Sequence, residues 1–93
     1  MNVIVEVLNL QVEPELFDEW ARVDEATWTA FLERQSGFVR KEVWRGVCAD
    51  VRVVVWWQSR EAWDAITDQQ VAEVDARMGD WFRPATLETF TVA

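Results

Sequence analysis

The sequence predicts an α+β fold, a four-stranded antiparallel sheet with two helices packed on one of its faces. Three observations lead there. Segments that alternate with a period of two are interleaved with segments that repeat every three to four residues, in the order β-α-β-β-α-β. The stretch 51–58, VRVVVWWQ, carries apolar residues on both of its faces, as a strand covered from two sides must. Gly46 and the Cys48-Ala49-Asp50 segment mark a bulge or hairpin connection between the second and third strands. This order is the ferredoxin-like split unit, and 93 residues make it a single domain, 1–93.

The first strand spans 3–12, with Val3, Val5, Val7, Asn9 and Gln11 on one face and Ile4, Glu6, Leu8, Leu10 and Val12 on the other. Pro14 stops it and suits the first turn of a helix, whose positive end Glu13 and Glu15 favour. That helix runs from 14 to about 35. Leu16, Trp20, Val23, Thr27 and Ala30 form one stripe, and Phe17, Trp20, Asp24, Trp28 and Phe31 an adjacent one; Gly37 stops it. In the second strand, 38–47, Phe38, Arg40, Glu42 and Trp44 alternate with Val39, Lys41, Val43, Arg45 and Val47. The third strand sends Val51, Val53, Val55 and Trp57 to one face and Arg52, Val54, Trp56 and Gln58 to the other. Ser59 caps the helix that follows, Trp63 and Ile66 face inward, and Thr67-Asp68 break it before Val71, Val74 and Met78 resume. Gly79 and Pro84 lead to a last strand over 85–92.

One layer of helices covers one sheet face and leaves the other open. Packing two such sheets together closes it, so the expected assembly is a homodimer with a barrel-like core. Seven Trp and five Phe point the same way, since twelve large rings, worth about 1.5–3 kcal/mol each when buried, are hard to hide in one small monomer. Trp56 and Val54 are the expected dimer-facing residues and Trp57 the helix-facing one; a one-residue slip of register would exchange the faces.

Seventeen acidic against nine basic residues give a net charge of −8, with no basic run, which argues against nucleic acid or an anionic membrane as partner. No apolar run approaches the roughly 20 residues of a membrane span, and the N-terminus lacks the basic and apolar regions of a secretory signal. With Cys48 as the one cysteine, a cytoplasmic protein is expected. The chain has no histidine, so no metal site and no nucleophile–histidine pair is expected; nor is there a dinucleotide or phosphate-binding glycine loop.

Asp24 interrupts an aromatic stripe, where an ionised carboxylate is costly unless paired. It is either a proton-transfer group in an aromatic pocket or one half of a structural ion pair. Glu6 and Glu42 interrupt strand faces and are expected to pair with Arg40, Lys41, Arg45 or Arg52. Asn9 orients a substrate carbonyl or serves local hydrogen bonds. Trp28, Trp44, Trp57, Trp63 and Phe31 line a pocket for a flat hydrophobic molecule or fill the core.

Val12-x-Pro14-x-Leu16, Asp24, Trp28-Thr29, Gly37-Phe38-x-x-Lys41-Glu42-Val43-Trp44 and Trp57-x-Ser59-Arg60-Glu61-x-Trp63 together resemble the dimeric α+β barrel superfamily, in its antibiotic-biosynthesis-monooxygenase-like (ABM-like) branch. The resemblance covers about residues 3–66. It implies a dimer with a helix–sheet pocket in each protomer. Its characterised relatives include cofactor-independent oxygenases of aromatic substrates, so one expectation is a cofactor-independent monooxygenase or related isomerase acting on a small aromatic or hydrophobic substrate; on the residues, Asp24 would then move a proton and Asn9 or Arg40 polarise a carbonyl. The alternative is a non-catalytic dimer that binds a hydrophobic small molecule. The haem-degrading relatives use a histidine and some quinone-forming ones a tyrosine, and this chain has neither.

Overall fold

A computed structural model describes residues 2–93. Strand β1 (Ile4–Gln11) leads through a 3₁₀ turn at Pro14–Leu16 into α1 (Phe17–Asp24), a wider π turn (Glu25–Thr29) and α2 (Ala30–Glu33). Then come β2 (Phe38–Arg45), β3 (Asp50–Trp57), α3 (Arg60–Asp64), α4 (Asp68–Met78), a 3₁₀ turn at Gly79–Trp81 and β4 (Thr86–Thr91). The strands lie in the order β2-β3-β1-β4, all neighbours antiparallel, with β3 and β1 in the middle; the helices cover one face of the sheet and the other is open. The fold is the ferredoxin-like α+β arrangement that the sequence predicts.

Register writes the two faces of the sheet as rows. The helix-facing rows are Lys41–Val55–Glu6–Thr89 and Val43–Val53–Leu8–Leu87, and the open-face rows are Arg40–Trp56–Val5–Phe90, Glu42–Val54–Val7–Glu88 and Trp44–Arg52–Asn9–Thr86. Trp57 is 1% exposed in the core with Ile4, Val53, Val55, Trp20 and Val74, while Trp56 stands on the open face. β2 breaks its alternation: a bulge between Phe38 and Arg40 lets Phe38 pack edge-on against Trp57, ring centroids 6.1 Å apart, yet turns Arg40 outward and Lys41 inward. The irregularity lies there, at the start of the strand, while the β2–β3 connection is a tight turn with Cys48 at positive φ.

The second helix breaks where its sequence does. Ser59 caps α3 by accepting from the Ala62 N–H (3.1 Å), and Thr67 forms a reciprocal capping box with Gln70 at the start of α4. Gly37, at φ +87°, lies directly against Ala62 and its carbonyl accepts from Gln58 (2.8 Å), which ties the end of the first helical run to the end of β3. Among the described residues no helix is long and apolar enough to cross a membrane.

Candidate functional site

Between the sheet and the helices lies a cavity of about 670 Å³, within the range of small-molecule sites. The sheet supplies Glu6, Leu8 and Leu10 of β1, Val53, Val55 and Trp57 of β3, and Lys41 of β2. The helices supply Trp20, Asp24, Trp28 and Leu32 on one side and Trp63, Ile66, Val71, Asp75 and Met78 on the other, with Phe82 and Arg83 from the segment leading into β4. Four indoles and a set of aliphatic side chains make the wall apolar, so each polar group in it is conspicuous.

The most buried of these are Asp24 and Lys41, whose side chains are 8% and 4% exposed. Lys41 Nζ donates to Asp24 Oδ2 and to Thr29 Oγ1, the latter at 2.7 Å. Helix winding makes this three-membered cluster possible. In a regular α-helix, residues five apart point about 140° away from each other. The π turn closes that angle: the Ala30 N–H reaches the Glu25 carbonyl five residues back, and Asp24 and Thr29 converge on one ammonium. Thr27 supports the turn by donating its hydroxyl to the Val23 carbonyl (2.8 Å). Burial raises the Asp24 carboxyl above its ordinary pKa, the Lys41 charge and hydrogen bond pull it back, and neighbouring Glu25 adds to the rise.

Glu6 lies in the same inward row as Lys41, with Val55 between them. Two strand spacings put their backbones about 10 Å apart, and Lys41 turns to Asp24 and Thr29 rather than to Glu6. Glu6 instead accepts from the Trp57 indole N–H at 3.0 Å. Its pKa is raised by burial, against the Trp57 and Trp63 N–H donors that lower it. Across the cavity Asp75 of α4 accepts from Trp28 Nε1 at 2.9 Å, and burial raises its pKa as well. The cavity therefore holds three carboxyl groups that bind protons more tightly than free ones, and one of them contacts a cation.

No protein-family model matches the sequence, and no curated protein matches it either. Solved structures do. A candidate antibiotic biosynthesis monooxygenase from Bordetella bronchiseptica superposes with a TM-score of 0.79 at 15% identity, over 100% of this chain and 99% of that one. The monooxygenase from the ActVA-Orf6 gene of Streptomyces coelicolor, in complex with nanaomycin D, gives 0.77 at 13% identity, over 99% and 88%. SnoaB, a cofactor-independent oxygenase from Streptomyces nogalater, gives 0.70 at 20% identity, over 100% and 95%. The chain has an ABM-like fold. At these identities the likeness extends to the fold alone.

Within this fold, Asp24, Trp28, Trp57 and Trp63 come together in the cavity wall. Four other residues expected there do not. Asn9 stands on the open face, where its Nδ2 donates to Glu88 at 2.8 Å, because Glu6 and Asn9 differ in parity along β1. Arg40 is turned outward by the bulge and stacks on Trp56, 4.1 Å from the ring centroid, in an ion pair with Glu42 (3.4 Å). The same bulge sends Trp44 to the open face, 49% exposed, donating to Glu42 at 2.9 Å. Phe31 is core, edge-on to Trp28 with centroids 5.7 Å apart. Asn9 and Arg40 are thus on the far side of the sheet from Asp24. Of the ion pairs expected for the strand glutamates, Glu42 makes one and Glu6 makes none, taking an indole instead.

Lys41 and Asp75, which line the cavity, and Thr29, which Lys41 contacts from the helix behind it, were not among the site residues expected from the sequence. Asp75 did carry a signal, since it falls on the Val71–Met78 helical stripe. On the open face Trp56 is half-buried, and Val54, 1% exposed, is already covered by its own neighbours.

Proposed function

We propose that this protein is a cofactor-independent monooxygenase acting on a small, electron-rich aromatic substrate in the helix–sheet cavity. The observation that carries the reading is the buried Asp24–Lys41–Thr29 cluster in an indole-lined wall. A carboxyl group of raised proton affinity beside an ammonium suits the first step such a reaction needs. Asp24 removes a proton from the substrate, and Lys41 stabilises the oxyanion that forms. The resulting electron-rich ring reacts with dioxygen. An activated CH₂ becomes C=O, the second oxygen atom leaves as water, and the substrate supplies all four electrons, so the balance closes without a flavin or metal. Similarity in fold to SnoaB, a cofactor-independent oxygenase, supports this class.

The test is oxygen uptake by the purified protein with hydroxynaphthalenes and hydroxyanthrones, without added cofactor. One dioxygen consumed per quinone formed is expected. A second reading, a non-catalytic binding protein, draws support from the fact that Asp24 and Lys41 satisfy each other. Tight binding without oxygen uptake would favour it.

The homodimer belongs to the same proposal. Trp44 and Phe90, 49% and 52% exposed, lie with Trp56, Val5 and Val7 on the open face. Among the described residues, Asn9 Oδ1 on that face is the buried side-chain atom without a hydrogen-bond partner, which a second subunit could supply.

A further inference from the structure

We infer that the cavity selects aromatic ligands that carry a protonated amine, which Glu6 or Asp75 receives, and disfavours anionic ones. The inference rests on the cavity being a ligand site, as proposed above, and adds the chemical class it takes.

The polar groups of the wall are lopsided. Glu6, Asp24, Asp64, Asp68 and Asp75 line the cavity against two cations, Lys41 and Arg83. Both cations are engaged. Lys41 is held by Asp24 and Thr29. Arg83 is held by Glu13 (3.1 Å) and by the Asp80 and Phe82 carbonyls (3.0 and 3.1 Å). The two indole donors that reach into polar contacts are also used, Trp57 on Glu6 and Trp28 on Asp75. An incoming carboxylate or phenolate beside Glu6 or beside Asp75 therefore meets acceptors rather than donors, and like charge is costly in a poorly solvated site.

Glu6 and Asp75 have the opposite need. Each is anchored by neutral indole N–H donors alone, and neither has a cationic partner among the described residues. A ligand ammonium supplies the missing charge and turns each contact into a charge-assisted hydrogen bond. The surrounding indoles of Trp28, Trp57 and Trp63 suit an aromatic body and attract cations over their faces. Among the described residues no three carboxylates converge as a metal ion requires, so the cation that fits is organic and carries a hydrophobic part. The overall charge of −8 draws the same class of molecule toward the protein.

Three naphthalene probes of one size test this by isothermal titration calorimetry on the intact chain: 1-naphthylmethylamine, 1-naphthylmethanol and 1-naphthoate. The amine is expected to bind tenfold or more tightly than either, on the order of one charge-assisted contact. That margin should shrink in Glu6→Gln or in Asp75→Asn, two variants in separate elements that keep the side-chain shape. Equal binding of the three, tighter binding of 1-naphthoate, or an undiminished margin in both variants overturns the charge assignment and leaves the cavity as a ligand site. Binding of none of the three overturns the cavity reading and this inference with it.

Discussion

Lys41→Met removes the one cation that faces Asp24 and should be the most destabilising single change in the cavity wall. The two side chains are 4% and 8% exposed, so water cannot replace the lost partner, and breaking a pair this buried costs about 3–5 kcal/mol. A domain of this size has about 5–14 kcal/mol in total, and each kcal/mol moves Tm by about 4–8 °C. A fall of at least 12 °C is therefore expected at neutral pH, in proportion to those constants.

The pH dependence has a definite sign. Without Lys41 the Asp24 carboxyl, already raised by burial, rises further. A group whose folded pKa exceeds its unfolded one contributes stability that is full below the unfolded value and is lost as pH rises through the folded value. Lys41→Met should therefore come closest to wild type below about pH 4, the ordinary aspartate range, and fall behind as pH rises. The double variant Asp24→Leu/Lys41→Met replaces both charges with apolar side chains and should lie within about 1 kcal/mol of wild type. Urea unfolding followed by tryptophan fluorescence at pH 4 and 7.5 measures Lys41→Met, Asp24→Leu and the double variant against wild type. Single variants that cost under about 1 kcal/mol, with a double equal to their sum, would refute the buried pair, because those are the values of a solvent-screened one.

Three further outcomes follow from single sites. Glu6→Gln keeps an acceptor for the Trp57 N–H and removes a carboxyl whose pKa burial raises above 4.5; it should match wild type at low pH and exceed it by about 1 kcal/mol at pH 8, in thermal unfolding across pH. Gly37→Ala adds a methyl group against Ala62 at φ +87° and should cost about 2 kcal/mol or more by urea titration; an unchanged midpoint would contradict the close packing. Trp56→Glu places a charge at the centre of the open face and should give monomer or aggregate by light scattering, whereas an unchanged dimer would remove Trp56 from the interface.

The fold was legible because its signals are local. Alternation along β1 and β3 showed which residues share a face, and Ser59 and Thr67 marked helix starts where the structure has them, whereas the first helical run ends at Glu33, short of Gly37. The separation of Trp56 from Trp57 follows from the same period of two. The site was less legible because two departures from regular geometry build it. A bulge after Phe38 exchanges the faces of β2, so the inward position of Phe38 says nothing about Arg40 or Trp44, and Lys41 takes the place assigned to Arg40. A π turn brings Asp24 and Thr29 to one partner, although a helical wheel drawn at 100° per residue sets them far apart. Neither feature leaves a Gly or Pro in the sequence to mark it. Asp75 and Glu6 needed the third dimension in another way, since their partners are indoles 47 and 51 residues away.

The most direct test is oxygen consumption by wild type and Asp24→Asn with the same hydroxyarene, with binding of that compound measured in parallel. Loss of a proton-transfer group lowers turnover by about 10²–10⁴-fold. The expected result is a loss of that size with affinity changed no more than a few-fold. Equal oxygen uptake by the two proteins would contradict the role of Asp24 and, with it, the assignment of the Asp24–Lys41–Thr29 cluster as the reaction centre.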